Sequence, residues 1–153
     1  LMKPRIVQAA TDKQGHVLQQ FPPEEVRRAI SRETAQTLKE ILQSVMLPGG
    51  TGTHASLEGY TAAGKTGTAR KVDDIGQYAN DRHVASFIGF APVENPQIAV
   101  LVVIDEPRGQ IYGGAVAAPV FKKIAQSTLN YLNVPPRNVP EKLRVSQDSG
   151  GRG

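Results

Sequence analysis

The chain has 153 residues, 39% of them hydrophobic and 21% charged, with a formal net charge of +4 at pH 7 and no cysteine. That length is enough for one domain with its own core, and the lack of cysteine excludes disulfides and thiolate metal sites. No run approaches the ~18–20 apolar residues of a membrane-spanning helix, and the basic residues are scattered among few aromatic rings, which argues against a nucleic-acid-binding surface.

In chain order, Arg5 to Thr11 and Val17 to Phe21 read as two strands around Asp12-Lys13-Gln14-Gly15, and Pro22-Pro23 ends the extended stretch. Ser31 is a candidate N-cap for a helix to about Met46. Its apolar face carries Ala35, Leu38, Ile41, Leu42, Val45 and Met46, and Pro48-Gly49-Gly50 stops it. Residues 51–59 read as a loop, 64–72 as a strand and 73–82 as a polar loop. Val84 to Phe90 and Ile98 to Ile104 form two further strands, the second apolar at every position and so expected to be buried on both faces. The connection Pro92-Val93-Glu94-Asn95-Pro96 is short enough to join only antiparallel neighbours, since a parallel crossover needs about a dozen residues.

Gly113-Gly114 precede a second helix, about Ala115 to Leu132, with Pro119 in its first turn. Val116, Val120, Phe121, Ile124, Thr128 and Leu132 form its expected core stripe, and Val134-Pro135-Pro136 ends it. The expected organisation is a folded portion over 1–134 and a flexible tail over 135–153. The fold class is α/β in content (α+β), an antiparallel sheet flanked by helices. His16, His54 and His83 lie far apart without ligand spacing and read as surface or structural residues, so neither a metal nor another cofactor is expected.

One segment invites chemistry, and it admits two readings. Gly59 to Thr66 matches the phosphate-loop pattern G-x-x-x-x-G-K-[ST], and Asp105 after an apolar strand mimics the acid that holds magnesium in such sites. A phosphate loop, however, needs a helix that starts at its Lys-Thr, and Gly67 follows at once with no helical periodicity. The other reading makes 64–72 a strand along an acyl-transfer cleft. Residues two apart share a face, so Thr66 and Thr68 offer two hydroxyls to one carboxylate, while Lys65 and Gly67 share the other face. The length of lysine or a twist at a glycine would be needed to bring Lys65 to the same ligand.

Several segments resemble the class B penicillin-binding proteins, the division-type peptidoglycan D,D-transpeptidases. They are Gly52-Thr53 plus Ala55 ahead of the motif, Lys65-Thr66-Gly67-Thr68-Ala69-Arg70-Lys71, Phe87-Ile88-Gly89-Phe90-Ala91-Pro92, Val103-Ile104-Asp105-Glu106-Pro107, and Tyr112-Gly113-Gly114 with Ala117-Ala118-Pro119-Val120-Phe121. Lys-Thr-Gly alone is a weak signal; the ordered set is specific. The resemblance covers roughly residues 1–132 and implies the C-terminal half of a transpeptidase domain. None of Ser31, Ser44, Ser56, Ser86, Ser127, Ser146 or Ser149 has lysine three residues on or asparagine two on. The family's nucleophile signatures are therefore absent, and by resemblance are expected upstream of Leu1. The chain alone is expected to be inactive and to expose apolar surface that upstream helices of its parent would cover, including one face of the strand from Ile98 to Ile104. The parent is expected to be a serine-type transpeptidase.

The same resemblance implies roles. Lys65 supplies positive charge beside the substrate carboxylate, against the plainer reading of a solvated strand lysine. Thr66 and Thr68 bind that carboxylate, and the backbone N–H of Thr68 forms half an oxyanion hole kept accessible by Gly67. Arg70 adds charge or is a surface residue. Tyr78 and Tyr112 wall the cleft. Expected partners are peptidoglycan stem peptides, β-lactam antibiotics and other cell-wall synthesis and division proteins, with no nucleic acid. The expected location is the periplasmic (extracytoplasmic) face of the inner membrane, with an N-terminal anchor outside this chain.

Overall fold

The computed structural model describes residues 1–137, so the tail expected over 135–153 falls almost wholly outside the described residues. The chain divides into two compact units, Leu1–Thr37 and the remainder from Leu38.

In the first unit, β1 (Ala9–Thr11) and β2 (Val17–Gln20) pair antiparallel, Ala9 opposite Gln20. The Asp12 carboxylate accepts the Gln14 and His16 backbone N–H groups at 2.9 and 2.8 Å, and Gly15 takes the positive φ of 90° that the turn requires. Both strands are shorter than expected, because the extended segments bury almost nothing. The helix α1 (Arg32–Ser44) starts as the sequence predicts, with Ser31 Oγ accepting the Thr34 N–H at 3.1 Å. It ends at Ser44 instead of Met46. The Val45 carbonyl accepts from Gly52 at 2.9 Å and turns the chain. No residue of α1 is buried, so the periodic face that holds Leu38 and Ile41 is not a core face among the described residues.

The second unit is built on a three-stranded antiparallel sheet in the order β3 (Ala63–Val72), β4 (Tyr78–Ala91), β5 (Ile98–Asp105). The expected loop over 73–82 is a turn only through Gln77, and its second half is strand. Asp73 Oδ1 accepts Ile75 N and Gln77 N at 3.1 and 2.8 Å, tightening the turn so that β4 begins at Tyr78. In register, Thr66 stands opposite Phe87 and Phe87 opposite Val102, while Thr68 stands opposite Ala85 and Ala85 opposite Ile104. These residues share one side of the sheet.

The helices α2 (Gly113–Val116) and α3 (Ala118–Tyr131) cover that side. The single helix expected from 115 is therefore two helices, broken at Ala117. The Phe87 and Phe121 rings meet at a centroid distance of 4.8 Å and 55° between planes, inside a core otherwise made largely of alanines. Gly64 and Gly89 are register partners, and a Cβ on Gly89 would lie 2.8 Å from the Phe121 ring. A Cβ on Gly64 would lie 2.8 Å from the Phe87 ring, so the two glycines clear space for the two rings.

Two expectations fail for related reasons. β5 is not buried on both faces: Val102 is 8% exposed but Leu101 is 60% exposed, and Val103 and Ile88 on the same side are open too. The second strand face simply carries no covering element among the described residues. The buried stripe of α3 is Ala118, Phe121, Ala125 and Leu129, whereas Val120, Ile124 and Leu132 are exposed. Ala118 and Ala125 let the helix approach the sheet closely, so the buried face alternates small residues with Phe121 and Leu129 and leaves Val120, Ile124 and Leu132 outside. Past Tyr131 the chain leaves the helix through Asn133 at φ 53°, before the prolines.

Phe121→Ala should lower the stability of the chain by about 3–5 kcal/mol in chemical denaturation. Leu101→Ala should stay within about 0.5 kcal/mol. Equal losses would mean that the two faces had been assigned wrongly.

Candidate active site

The residues read from the sequence as a substrate strand lie where β3 passes under the start of α2. Thr66 and Thr68 line a cavity of about 280 Å³ together with Thr51, Thr53, His54, Tyr112, Gly113, Gly114 and Ala115. Thr51 Oγ1 and Thr66 Oγ1 are 3.0 Å apart. The Gly113 backbone N–H donates to Thr68 Oγ1 at 3.2 Å. A threonine hydroxyl has one proton and two acceptor sites. The Thr51–Thr66 bond uses one proton of that pair and leaves the other, and Thr68, accepting from Gly113, keeps its own. The cavity therefore presents hydroxyl protons to a ligand, a donor set suited to an anion.

The turn over the site is set by a close approach. A Cβ on Gly113 would lie 2.1 Å from the Ser86 carbonyl oxygen and 2.6 Å from that of Gly67, and one on Gly114 would lie 2.2 Å from the Thr51 carbonyl oxygen. Only glycine lets the Tyr112–Gly114 backbone rest on the β3–β4 pair. Gly67 itself faces the Ser86 hydroxyl, which a Cβ would approach to 2.5 Å.

The predicted site residues are not all brought together. Lys65 lies on the opposite side of β3 from the two threonines, exposed, with Nζ donating to the Thr66 carbonyl at 3.0 Å, and it is not among the cavity's lining residues. Arg70 continues the threonine side opposite His83 but lies beyond the cavity. Tyr78 sits at the start of β4 opposite Val72, near the hairpin tip, and does not line the cavity either. Tyr112 does.

Thr51 and His54 were missed. Both belong to a segment that reads as a loop, and no short-range pattern ties residue 51 to residue 66. A glycine-flanked threonine ahead of Lys-Thr-Gly-Thr was the available signal.

The nucleotide reading ends here. Lys65 and Thr66 are strand residues, no helix begins at them, and β4 and β5 are antiparallel. Asp105 ion-pairs with Lys71 at 3.0 Å, and Glu106 does so at 2.8 Å. Those two carboxylates, Glu106 foremost, hold the Lys71 ammonium above the ordinary lysine value. Among the described residues no group of three or more His, Asp or Glu is placed to hold a metal. A larger cavity of about 550 Å³, between Tyr60, Glu94 and the segment Leu132–Arg137, contains none of Lys65–Thr68. The convergent hydroxyls distinguish the smaller cavity from this larger one.

Two measurements check this geometry. Gly113→Ala should cost about 1–3 kcal/mol and shift the amide resonances of Ser86 and Thr68; an unchanged spectrum contradicts the packing. Because the Lys71 value is raised, its contribution is complete below the ordinary 10.5 and lost as pH rises through the raised value. Lys71→Met should therefore remove part of the alkaline decline in Tm, and an identical decline refutes the ion pairs.

Comparison with known proteins fits this geometry. The model of the penicillin binding protein transpeptidase domain matches residues 1–126. A probable peptidoglycan D,D-transpeptidase PenA of Neisseria gonorrhoeae is 48% identical over 111 residues, 72% of this chain and 19% of that protein. Stage V sporulation protein D of Bacillus subtilis is 46% identical over 112 residues, 72% of this chain and 17% of its own length. Among solved structures, penicillin-binding protein 3 of Mycobacterium tuberculosis complexed with ampicillin superposes with a TM-score of 0.76 at 34% identity, covering 90% of this chain and 32% of that one. The transpeptidase domain of Burkholderia pseudomallei penicillin-binding protein 3 gives 0.68 at 41% identity, covering 86% of this chain and 37% of that one. The chain spans about a fifth of the length of the curated relatives it matches. With the family model matched over most of its length and the resemblance to class B proteins upheld, the chain belongs to the penicillin-binding protein transpeptidase domain family.

Proposed function

We propose that this chain is the carboxylate-binding part of a peptidoglycan D,D-transpeptidase whose serine nucleophile lies outside these 153 residues. The observation that carries the reading is the gathering of the Thr51, Thr66 and Thr68 hydroxyls in one cavity on an edge strand. In the reaction, the serine oxygen attacks the carbonyl between the two D-alanines of a stem peptide, the C–N bond breaks, and the terminal D-alanine leaves with the proton. An amine of a neighbouring stem peptide then attacks the ester and releases the serine.

In this scheme Thr66 and Thr68 hydroxyls donate to the terminal carboxylate. Lys65 adds positive charge from the opposite side of the strand, and the Thr68 backbone N–H supports the oxyanion. Tyr112 walls the cleft; Arg70 and Tyr78 lie further along the hairpin, toward a longer ligand. β-Lactams acylate the same serine, in keeping with the ampicillin complex of the mycobacterial relative. The domain division proposed is a folded portion through Val134, working in cell-wall synthesis on the extracytoplasmic side of the membrane alongside division proteins.

The test is acylation by labelled penicillin of a protein that joins this chain to the serine-bearing part. Thr66→Val with Thr68→Val should slow acylation on the order of 10–100-fold, the worth of hydrogen bonds to a charged group. Lys65→Ala, which removes an exposed charge on the opposite side of the strand, should slow it only about two- to fivefold. Acylation at the parent rate in the double threonine variant would sink the carboxylate role. No labelling of the joined protein at all would sink the transpeptidase reading.

A further inference from the structure

The chain leaves β5 through a backbone conformation that its residues disfavour. Glu106 follows the strand's last residue, Asp105, and takes φ 49°, in the left-handed region that a residue with a side chain rarely adopts. Pro107 comes next, and a residue before proline is steered toward extended backbone. A conformation disfavoured on both counts persists only where its surroundings fix it.

Two ties fix Glu106. Its N–H donates to the His83 carbonyl at 2.9 Å, and its carboxylate lies 2.8 Å from the Lys71 ammonium. Asp105 shares that ammonium at 3.0 Å. Consecutive strand residues point to opposite faces, so the left-handed turn is what lets both carboxylates meet one Nζ. Lys71 itself falls in the register shift of β3 between Arg70 and Val72. Glu106 foremost, and Asp105 with it, hold the Lys71 ammonium above its ordinary value, so it stays charged through the neutral range.

From Glu106 the chain runs to Gly113, which rests on the Gly67 and Ser86 carbonyls and donates its N–H to Thr68 Oγ1. None of residues 107–112 is buried. Among the described residues this segment is held chiefly at its two ends, and both ends meet β3: Lys71 at one, Gly67 and Thr68 at the other.

We propose that Lys71 is a positioning residue for the cleft: its two carboxylate partners lock Glu106 in the turn that carries the chain back across the sheet, which sets Tyr112 at the wall and the Gly113 N–H on Thr68. The effect on chemistry rests on the carboxylate reading of Thr66 and Thr68; the effect on geometry does not.

The experiment uses the protein that joins this chain to the serine-bearing part, isotope-labelled, at a temperature where each variant is folded. It reads the amide resonances of Thr68 and Gly113 and the rate of acylation by labelled penicillin. Lys71→Met, which keeps the side chain's length without its charge, should shift both resonances and slow acylation about three- to tenfold, less than the roughly 10²-fold that a misplacement of about 1 Å can cost. Lys71→Arg, which keeps a cation able to meet two carboxylates, should restore both readings. Glu106→Gly removes the carboxylate and the backbone strain together. It should also shift the resonances, and adding Lys71→Met to it should slow acylation by no more than a further factor of about two, because the two residues act as one unit.

Resonances and acylation that keep their parent values in folded Lys71→Met overturn the proposal, whatever happens to Tm, and leave the transpeptidase reading intact. Losses that multiply in full in the double variant overturn it too, since Lys71 then acts through something other than Glu106. If the joined protein takes no label, the transpeptidase reading falls, and the Thr68 and Gly113 resonances alone decide the proposal: shifted in Lys71→Met they uphold it, unshifted they overturn it.

Discussion

A hydrogen atom where any other residue has a methyl group governs this site. With Gly113 Cα seated over the carbonyl oxygens of Ser86 and Gly67, the chain entering α2 lies directly on the β3–β4 pair, too close for a side chain. That contact brings a backbone N–H to Thr68 Oγ1 and sets Tyr112 at the cleft wall. The neighbouring Gly114 does the same against the Thr51 carbonyl, pulling the 51–55 turn to the opposite wall. The cavity is thus the gap between two backbone segments that both close on one strand.

The sheet beneath can support such contacts because its own register is tied from below. Nine residue pairs link β3 to β4 from Ala63 to Val72. Gly89 admits the Phe121 ring and Gly64 the Phe87 ring, and the two rings fill the space between the alanines of α3 and the strands. Packing on small residues brings helix and sheet close, and close packing is unforgiving of added volume. At the far end of β3, Lys71 bridges to Asp105 and Glu106 across β4, clamping the third strand to the first. The threonine hydroxyls therefore sit on a strand held along its length, the preorganisation that the proposed carboxylate role calls for.

The fold was legible where local rules and tertiary needs agree. Ser31 as a cap, the antiparallel β4–β5 pair and the strand character of Lys65–Thr68 followed from capping chemistry, connection length and the glycine that follows Thr66. Periodicity misled where it could not know what lies opposite. An all-apolar strand implies two covered faces, yet Leu101 is open because covering is a property of the neighbour. In α3 the larger apolar residues outvoted the alanines in the pattern, while close packing on the sheet selected the alanines. At the site, two-residue alternation predicted correctly that Thr66 and Thr68 share a side and Lys65 does not. Glycine-flanked Thr51 was visible, but its place at the site, like that of His54, depends on a backbone contact 63 residues along the chain, between Gly114 and the Thr51 carbonyl.

The separation of Lys65 from the hydroxyls divides the work of recognition. Two unit charges 4 Å apart attract by about 1 kcal/mol in bulk water and by about 4 kcal/mol at an effective dielectric near 20. Lys65 is exposed, so for a ligand in the cavity its charge acts through water and around the strand. The hydroxyls act at contact distance and do not depend on screening. Within the described residues, then, the proposed function leaves placement of an anion to neutral donors fixed by glycine contacts. The lysine gains weight in proportion to how much water is excluded from its side of β3. That side is continuous with the open face carrying Ile88, Leu101 and Val103. Whatever covers those apolar residues also lowers the dielectric around Lys65, which couples burial of the open sheet face to the strength of the charge at the site.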